Sequence, residues 1–120
     1  MSDTATTDDC LAGWCADEAW CAVTCGAEVL GNKWHPAVVH RLLERGPMGF
    51  GDLADELGSV TNKVLSETLS DLEDHDVVER DVVAEQPVRV RYSLTDHGQD
   101  LAPVVDALAE WGQTHRDRGP

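Results

Sequence analysis

The stretch Val60-Thr61-Asn62-Lys63-Val64-Leu65-Ser66-Glu67-Thr68-Leu69-Ser70-Asp71-Leu72 decides how this chain folds. Val64, Leu65, Leu69 and Leu72 recur at spacings of one, four and three, which sets them on one stripe of a helix. Thr61 stands where an N-cap side chain would accept from a free backbone N–H of the first turn. The other side of the helix carries Asn62, Lys63, Ser66, Glu67 and Ser70. Upstream lies a short helix: Phe50 leads in, Asp52 sits in the first turn where the helix dipole favours an acid, and Leu53, Ala54 and Leu57 form one face. Gly58 closes it, so two helices meet across a tight turn that contains glycine.

Further upstream a helix is predicted to begin near Trp34, with Pro36 in its first turn, where a missing N–H costs nothing. Ala37, Val38, Leu42 and Leu43 follow at helical spacing, and Gly46-Pro47 ends it. Cys21 to Leu30 reads as an earlier short helix stopped by Gly31-Asn32. Downstream, Val77–Val83 and Val88–Leu94 flank Ala84-Glu85-Gln86-Pro87. In the second run Val88, Val90, Tyr92 and Leu94 face one way and Arg89, Arg91 and Ser93 the other, the pattern of a hairpin with one buried face. Thr95 caps a last helix, in which Leu101, Val104, Val105, Leu108 and Trp111 recur at three and four. The expected fold is mainly α with a β-hairpin wing, a winged helix-turn-helix.

In that architecture the polar face of the second helix of the pair enters the major groove of DNA, and the hairpin reaches an adjacent backbone or minor groove. The residue types suit those tasks. Asn62 pairs naturally with adenine, Lys63 with guanine or phosphate, and Ser66 with either kind of edge. Thr61 and the helix N-terminus can hold a phosphate, and Arg89 and Arg91 supply the wing with charge. Glu67 is two-sided, since its carboxylate accepts from cytosine but repels phosphate. The plainer account of each is a solvated helix face and a soluble strand edge.

The chain has 120 residues, enough for one small domain, with 9 Lys plus Arg against 23 Asp plus Glu and a formal charge of −14. Residues 1–31 hold six acids and no base, while 32–94 hold twelve acids and seven bases. Such a surface fits a cytosol of molar salt, where the Debye length shrinks to about 3 Å and carboxylate repulsion is screened. Under that condition the net charge does not exclude a polyanionic partner. No apolar run reaches the roughly 20 residues of a membrane span, and residues 1–10 have no signal-peptide pattern, so a cytoplasmic protein without membrane contact is expected. Enzyme motifs are missing: there is no Gly-rich phosphate loop, H-E-x-x-H or G-x-S-x-G. Nothing in the sequence calls for a cofactor.

The ordered set of motifs resembles the HxlR family of winged-helix transcriptional regulators, which belong to the wider MarR-like group. The likeness runs from Cys21 to Gly112 through Leu30-Gly31-Asn32-Lys33-Trp34, Gly49-Phe50-Gly51-Asp52-Leu53, Val60 to Leu65, Leu69 to Glu73, Val77 to Arg80, Pro87 to Thr95, and Glu110-Trp111-Gly112. The resemblance implies a homodimer that binds double-stranded operator DNA and dimerises through its first and last helices. Leu101, Val104, Val105, Leu108 and Trp111 are the candidate interface, and half-sites would lie about one helical turn (~34 Å) apart. Asp76 stands where the family usually has Gly after the recognition helix; Asp tolerates the left-handed conformation, so the turn is expected to survive. Gly51 replaces a usual Ser, and Arg91 takes a wing position that is often acidic.

The expected division is an acidic, Cys-containing and partly disordered extension over 1–20, the winged-helix domain over 21–112, and a tail over 113–120. All four cysteines, Cys10, Cys15, Cys21 and Cys25, lie near the N-terminus. Cys21 falls where many members of the resembled family carry a thiol that senses oxidants or electrophiles, and Cys25 follows four residues on, on the same helical face. Redox sensing by Cys21 and Cys25 competes with burial of two small hydrophobes and with a metal-responsive role. The C-x4-C-x5-C-x3-C spacing lacks the C-x2-C knuckle of structural zinc, so no metal site is assigned. The alternative from another class is a winged-helix protein-interaction module that no longer binds DNA.

Overall fold

A computed structural model describes the backbone from residue 18 to residue 119. Cys10, Cys15 and most of the expected extension over 1–20 lie outside the described residues. The chain divides into two compact units, residues 1–33 and residues 34–120. In the first, helix α1 (Glu18–Val29) runs through both Cys21 and Cys25 and ends just before Gly31. A Cβ at Gly31 would lie 2.7 Å from the Ala27 carbonyl oxygen, so a side chain there would meet the end of the helix.

The second unit is built in the order α2 (Trp34–Arg45), β1 (Met48–Gly49), α3 (Phe50–Leu57), α4 (Asn62–Asp74), β2 (Val78–Glu85), β3 (Val88–Leu94), α5 (Asp96–Gln99) and α6 (Ala102–Asp117). Its core is aliphatic: Val38 and Val39 of α2, Leu53 of α3, Leu65, Leu69 and Leu72 of α4, and Val77 at the wing root are essentially inaccessible. At about 1.5–3 kcal/mol for each large aliphatic side chain removed from water, this cluster holds the three helices together. Arg41 adds a polar clamp, with Nη1 donating to Glu56 of α3 at 3.1 Å and Nη2 to Glu44 at 2.7 Å.

The wing is a three-stranded antiparallel sheet in the order β1-β3-β2, where two strands were expected. Two residues of β1 add the third strand, pairing Met48 with Tyr92 and Gly49 with Arg91. The alternation expected for β3 holds from Val90 to Leu94, with Tyr92 and Leu94 buried, but Val88 is 68% exposed. Val88 lies at the turn end of the hairpin, the end of β3 farthest from the buried Tyr92 and Leu94. A bulge in β2 leaves Val83 without a partner between the pairs Val82–Val90 and Ala84–Arg89, and Val82 and Val83 are both exposed.

The single last helix expected after Thr95 is two. Thr95 caps only the short α5, its Oγ1 accepting from the Gly98 N–H at 2.9 Å. Pro103, within the first turn of α6, has no N–H to give to the Gln99 carbonyl, and the helix restarts there. Helix α6 runs on to Asp117, across the expected boundary at residue 112. Val105, expected on a shared face, is 3% exposed and belongs to this unit's own core.

Candidate nucleic-acid interface

Four residues, 58–61, join α3 to α4. Gly58 ends α3 at φ 75°, a left-handed value that a residue bearing Cβ resists, and its N–H bonds the Ala54 carbonyl. Thr61 then caps α4 as expected, its Oγ1 accepting from the Val64 N–H at 3.2 Å. Once the leucine stripe is buried, the roll of α4 leaves Asn62, Lys63, Ser66, Glu67 and Ser70 exposed on its outer side.

The far end of α4 closes in a Schellman motif. The Val77 N–H bonds the Leu72 carbonyl at 2.9 Å and the Asp76 N–H bonds the Glu73 carbonyl at 2.9 Å, with Asp76 at φ 61°. The turn expected at Asp76 thus survives without glycine. Thr95 joins this turn to the wing root, its Oγ1 donating to the Asp76 carbonyl at 2.6 Å and its N–H to the Val77 carbonyl at 3.0 Å. A Cβ at Gly98 would fall 2.1 Å from the Val77 carbonyl oxygen, so only glycine lets α5 approach so closely.

Four of the arginines form two pairs in different settings. Arg41 and Arg45 are engaged with Glu56 between α2 and α3. Arg89 and Arg91, both exposed on β3, form no ion pair among the described residues, although Asp81 sits opposite Arg91 in the ladder. A shallow groove of about 280 Å³, lined by Pro47, Gly49, Asp52, Val83, Arg89 and Arg91, runs beside them. On α4, Lys63 Nζ and Glu67 Oε2 stand 4.0 Å apart, both exposed, a pair worth little in water.

Cys21 and Cys25 occupy successive turns of α1 and are half-buried. On α6, Val104, Leu108 and Trp111 form an exposed apolar stripe, while Leu101 is half-buried, and the Trp111 ring stacks on His115 with centroids 4.9 Å apart. Sequence reasoning missed the contact between His35 of α2 and Asp71 of α4, Nε2 to Oδ2 at 2.6 Å. No local pattern marks it, since the partners are 36 residues apart.

A capped helix with a polar outer face, set behind a glycine-bearing turn and followed by an arginine-bearing sheet, defines a winged helix-turn-helix protein. The profile of the HxlR-like helix-turn-helix family matches residues 29–120, and the chain belongs to that family of transcriptional regulators. It is 40% identical over 84 residues to the HTH-type transcriptional regulator YvaP of Bacillus subtilis, covering 70% of this chain and 77% of that protein. The redox regulator HypR in its reduced form superimposes with a TM-score of 0.75 at 32% identity, over 80% of this chain and 94% of that one. Reduced YodB of B. subtilis gives 0.66 at 32% identity, over 79% and 92%, and YodB is also known in a quinone-bound form.

Proposed function

We propose that this regulator reads operator DNA with the outer face of α4 and the arginines of the wing, as a homodimer, and that thiols on α1 tune the binding. The observation that carries this reading is the pairing of an exposed, N-capped polar helix face with two wing arginines that form no ion pair among the described residues. In it, Asn62, Lys63 and Ser66 meet base edges, Thr61 and the helix N-terminus meet a phosphate, and Arg89 and Arg91 meet the backbone or minor groove. Glu67 sets a preference for cytosine at the cost of some phosphate attraction. The exposed Val104, Leu108 and Trp111 supply the partner surface on α6. A cytosolic location suits this role, and among the described residues no helix is long and apolar enough to cross a membrane.

The thiol response is supported by the redox regulators HypR and YodB among the structural relatives. Residues four apart on a helix have Cβ atoms about 5–6 Å apart. A disulfide needs about 3.5–4.5 Å. Cys21 and Cys25 therefore cannot join each other while α1 stays wound. The chemistry this leaves is addition of the Cys21 thiol to an electrophile such as a quinone, or its oxidation to a disulfide with a more distant thiol by an agent such as diamide, which takes up the two electrons and two protons.

The test is fluorescence anisotropy of the full chain with its own upstream DNA and an unrelated duplex, in high potassium chloride, under reductant and then quinone. Preferential binding to the upstream duplex that changes with quinone is the expected result. Arg89→Ala should weaken both duplexes and reduce the salt slope by about one, whereas Lys63→Ala should cost about 1–3 kcal/mol on the preferred duplex. Loss of the quinone response in Cys21→Ser identifies the sensor; a retained response moves it to another thiol. The second reading, a protein-interaction module, is favoured by the charge of −14 and the exposed Val82, Val83 and Val88 at the wing. It prevails if no genomic duplex is preferred.

A further inference from the structure

Two polar side chains are buried among the described residues, His35 and Thr68. Thr68 is satisfied within its own helix, its Oγ1 donating to the Val64 carbonyl at 2.8 Å. His35 reaches across to another element: its side chain is 3% exposed and its Nε2 lies 2.6 Å from Oδ2 of Asp71, which is 45% exposed. Its Nδ1 is buried and has no hydrogen-bond partner among the described residues. An imidazole that leaves one nitrogen unpartnered in the core is a poor device for stability, because the unmet group offsets much of what the bond contributes.

The pair offers direction. The stripe of Leu65, Leu69 and Leu72 holds α4 by apolar burial, which sets which face points outward but not the last degrees of roll, because the attraction is non-directional. A hydrogen bond near 2.6 Å weakens steeply when its angle opens. Side-chain tips lie about 5–6 Å from a helix axis. A roll of about 10° would therefore carry Asn62, Lys63 and Ser66 sideways by about 1 Å, enough to spoil a bidentate contact to a base edge. Asp71 also stands in the last turn of α4, one residue before the Schellman closure, its carbonyl accepting from the His75 N–H at 3.1 Å, so the tether grips the helix beside its closed end.

We propose that the His35–Asp71 contact is the positioning element that sets the roll of α4, so that His35 acts on sequence preference through Asp71 without touching DNA. This rests on the reading of α4 as the DNA-reading helix. Backbone residual dipolar couplings of α4 and anisotropy on preferred and unrelated duplexes test it together in the full chain. Asp71→Ala should rotate α4 relative to α2 and lower affinity for the preferred duplex roughly tenfold, the scale of one lost base contact, while the unrelated duplex and the salt slope stay as in the parent. Asp71→Asn retains an oxygen that accepts from Nε2–H and should restore both readouts to within about threefold. The double variant His35→Leu/Asp71→Leu replaces the pair with apolar groups and should melt no lower than the parent, yet keep the weakened preference.

A double variant that discriminates like the parent reduces the pair to a stability element and overturns the proposal. Unchanged α4 couplings in Asp71→Ala overturn it as well, whatever the DNA result. A parent protein that prefers no duplex removes the DNA-reading role of α4, and with it the proposal's account of sequence preference.

Discussion

At Asp76 the chain adopts φ 61°, the one positive φ outside glycine among the described residues. A left-handed residue bearing Cβ costs about 1–2 kcal/mol, partly relieved for Asp by local hydrogen bonding. Asp76→Gly should therefore raise stability by up to about 1 kcal/mol, read as a higher midpoint in thermal or urea unfolding. Gly98 is the opposite case: its missing Cβ would fall 2.1 Å from the Val77 carbonyl oxygen. Gly98→Ala should cost about 1–3 kcal/mol or more by the same measurement, because backbone must move. Glu67, exposed beside Lys63 on the outer face of α4, opposes phosphate. Glu67→Gln should strengthen binding to the unrelated duplex and narrow its gap to the preferred one, and unchanged anisotropy on both would place Glu67 away from the DNA.

At the scale of elements, α4 is stabilised twice, by its cap and by its stripe. Thr61→Ala should cost about 0.5–2 kcal/mol and Leu69→Ala about 2–5 kcal/mol, and a cap loss as large as the core loss would contradict this division. Both features were legible in sequence, because a cap and a helical stripe are local patterns. Strand β1 was not: Met48-Gly49 carries no strand signal, and its identity comes from pairing with Tyr92 and Arg91 more than forty residues later. The division of the last helix had a visible cause in Pro103, yet the apolar spacing from Leu101 to Trp111 read through it. That spacing merges two neighbouring faces, Leu101 with Val105 turned inward and Val104 with Leu108 and Trp111 turned outward.

For the whole molecule, the outward stripe on α6 sets a prediction about assembly. Leu108→Glu should shift sedimentation toward monomer and weaken operator binding, while leaving the melting of the isolated unit nearly unchanged, because Leu108 is half exposed within its own chain. A variant that remains dimeric would move the interface off α6. The strong negative charge shapes binding as a whole, since the few cations must act at short range, with Arg41 and Arg45 held between α2 and α3 and Arg89 and Arg91 left at the wing.

The resemblance to HxlR regulators supplied the family and the left-handed turn at Asp76; periodicity, caps and turn residues in the sequence alone determined the order of the helices up to α4, the turn of the helix pair and the polar outer face of α4. These depend on residues within a turn or two of each other, so the linear pattern carries them. Tertiary structure alone decided the third strand, the exposure of Val88, the inward turn of Val105 and the meeting of His35 with Asp71. Each joins or separates groups far apart in the chain, and contacts of that range are set by how the packed elements fill space.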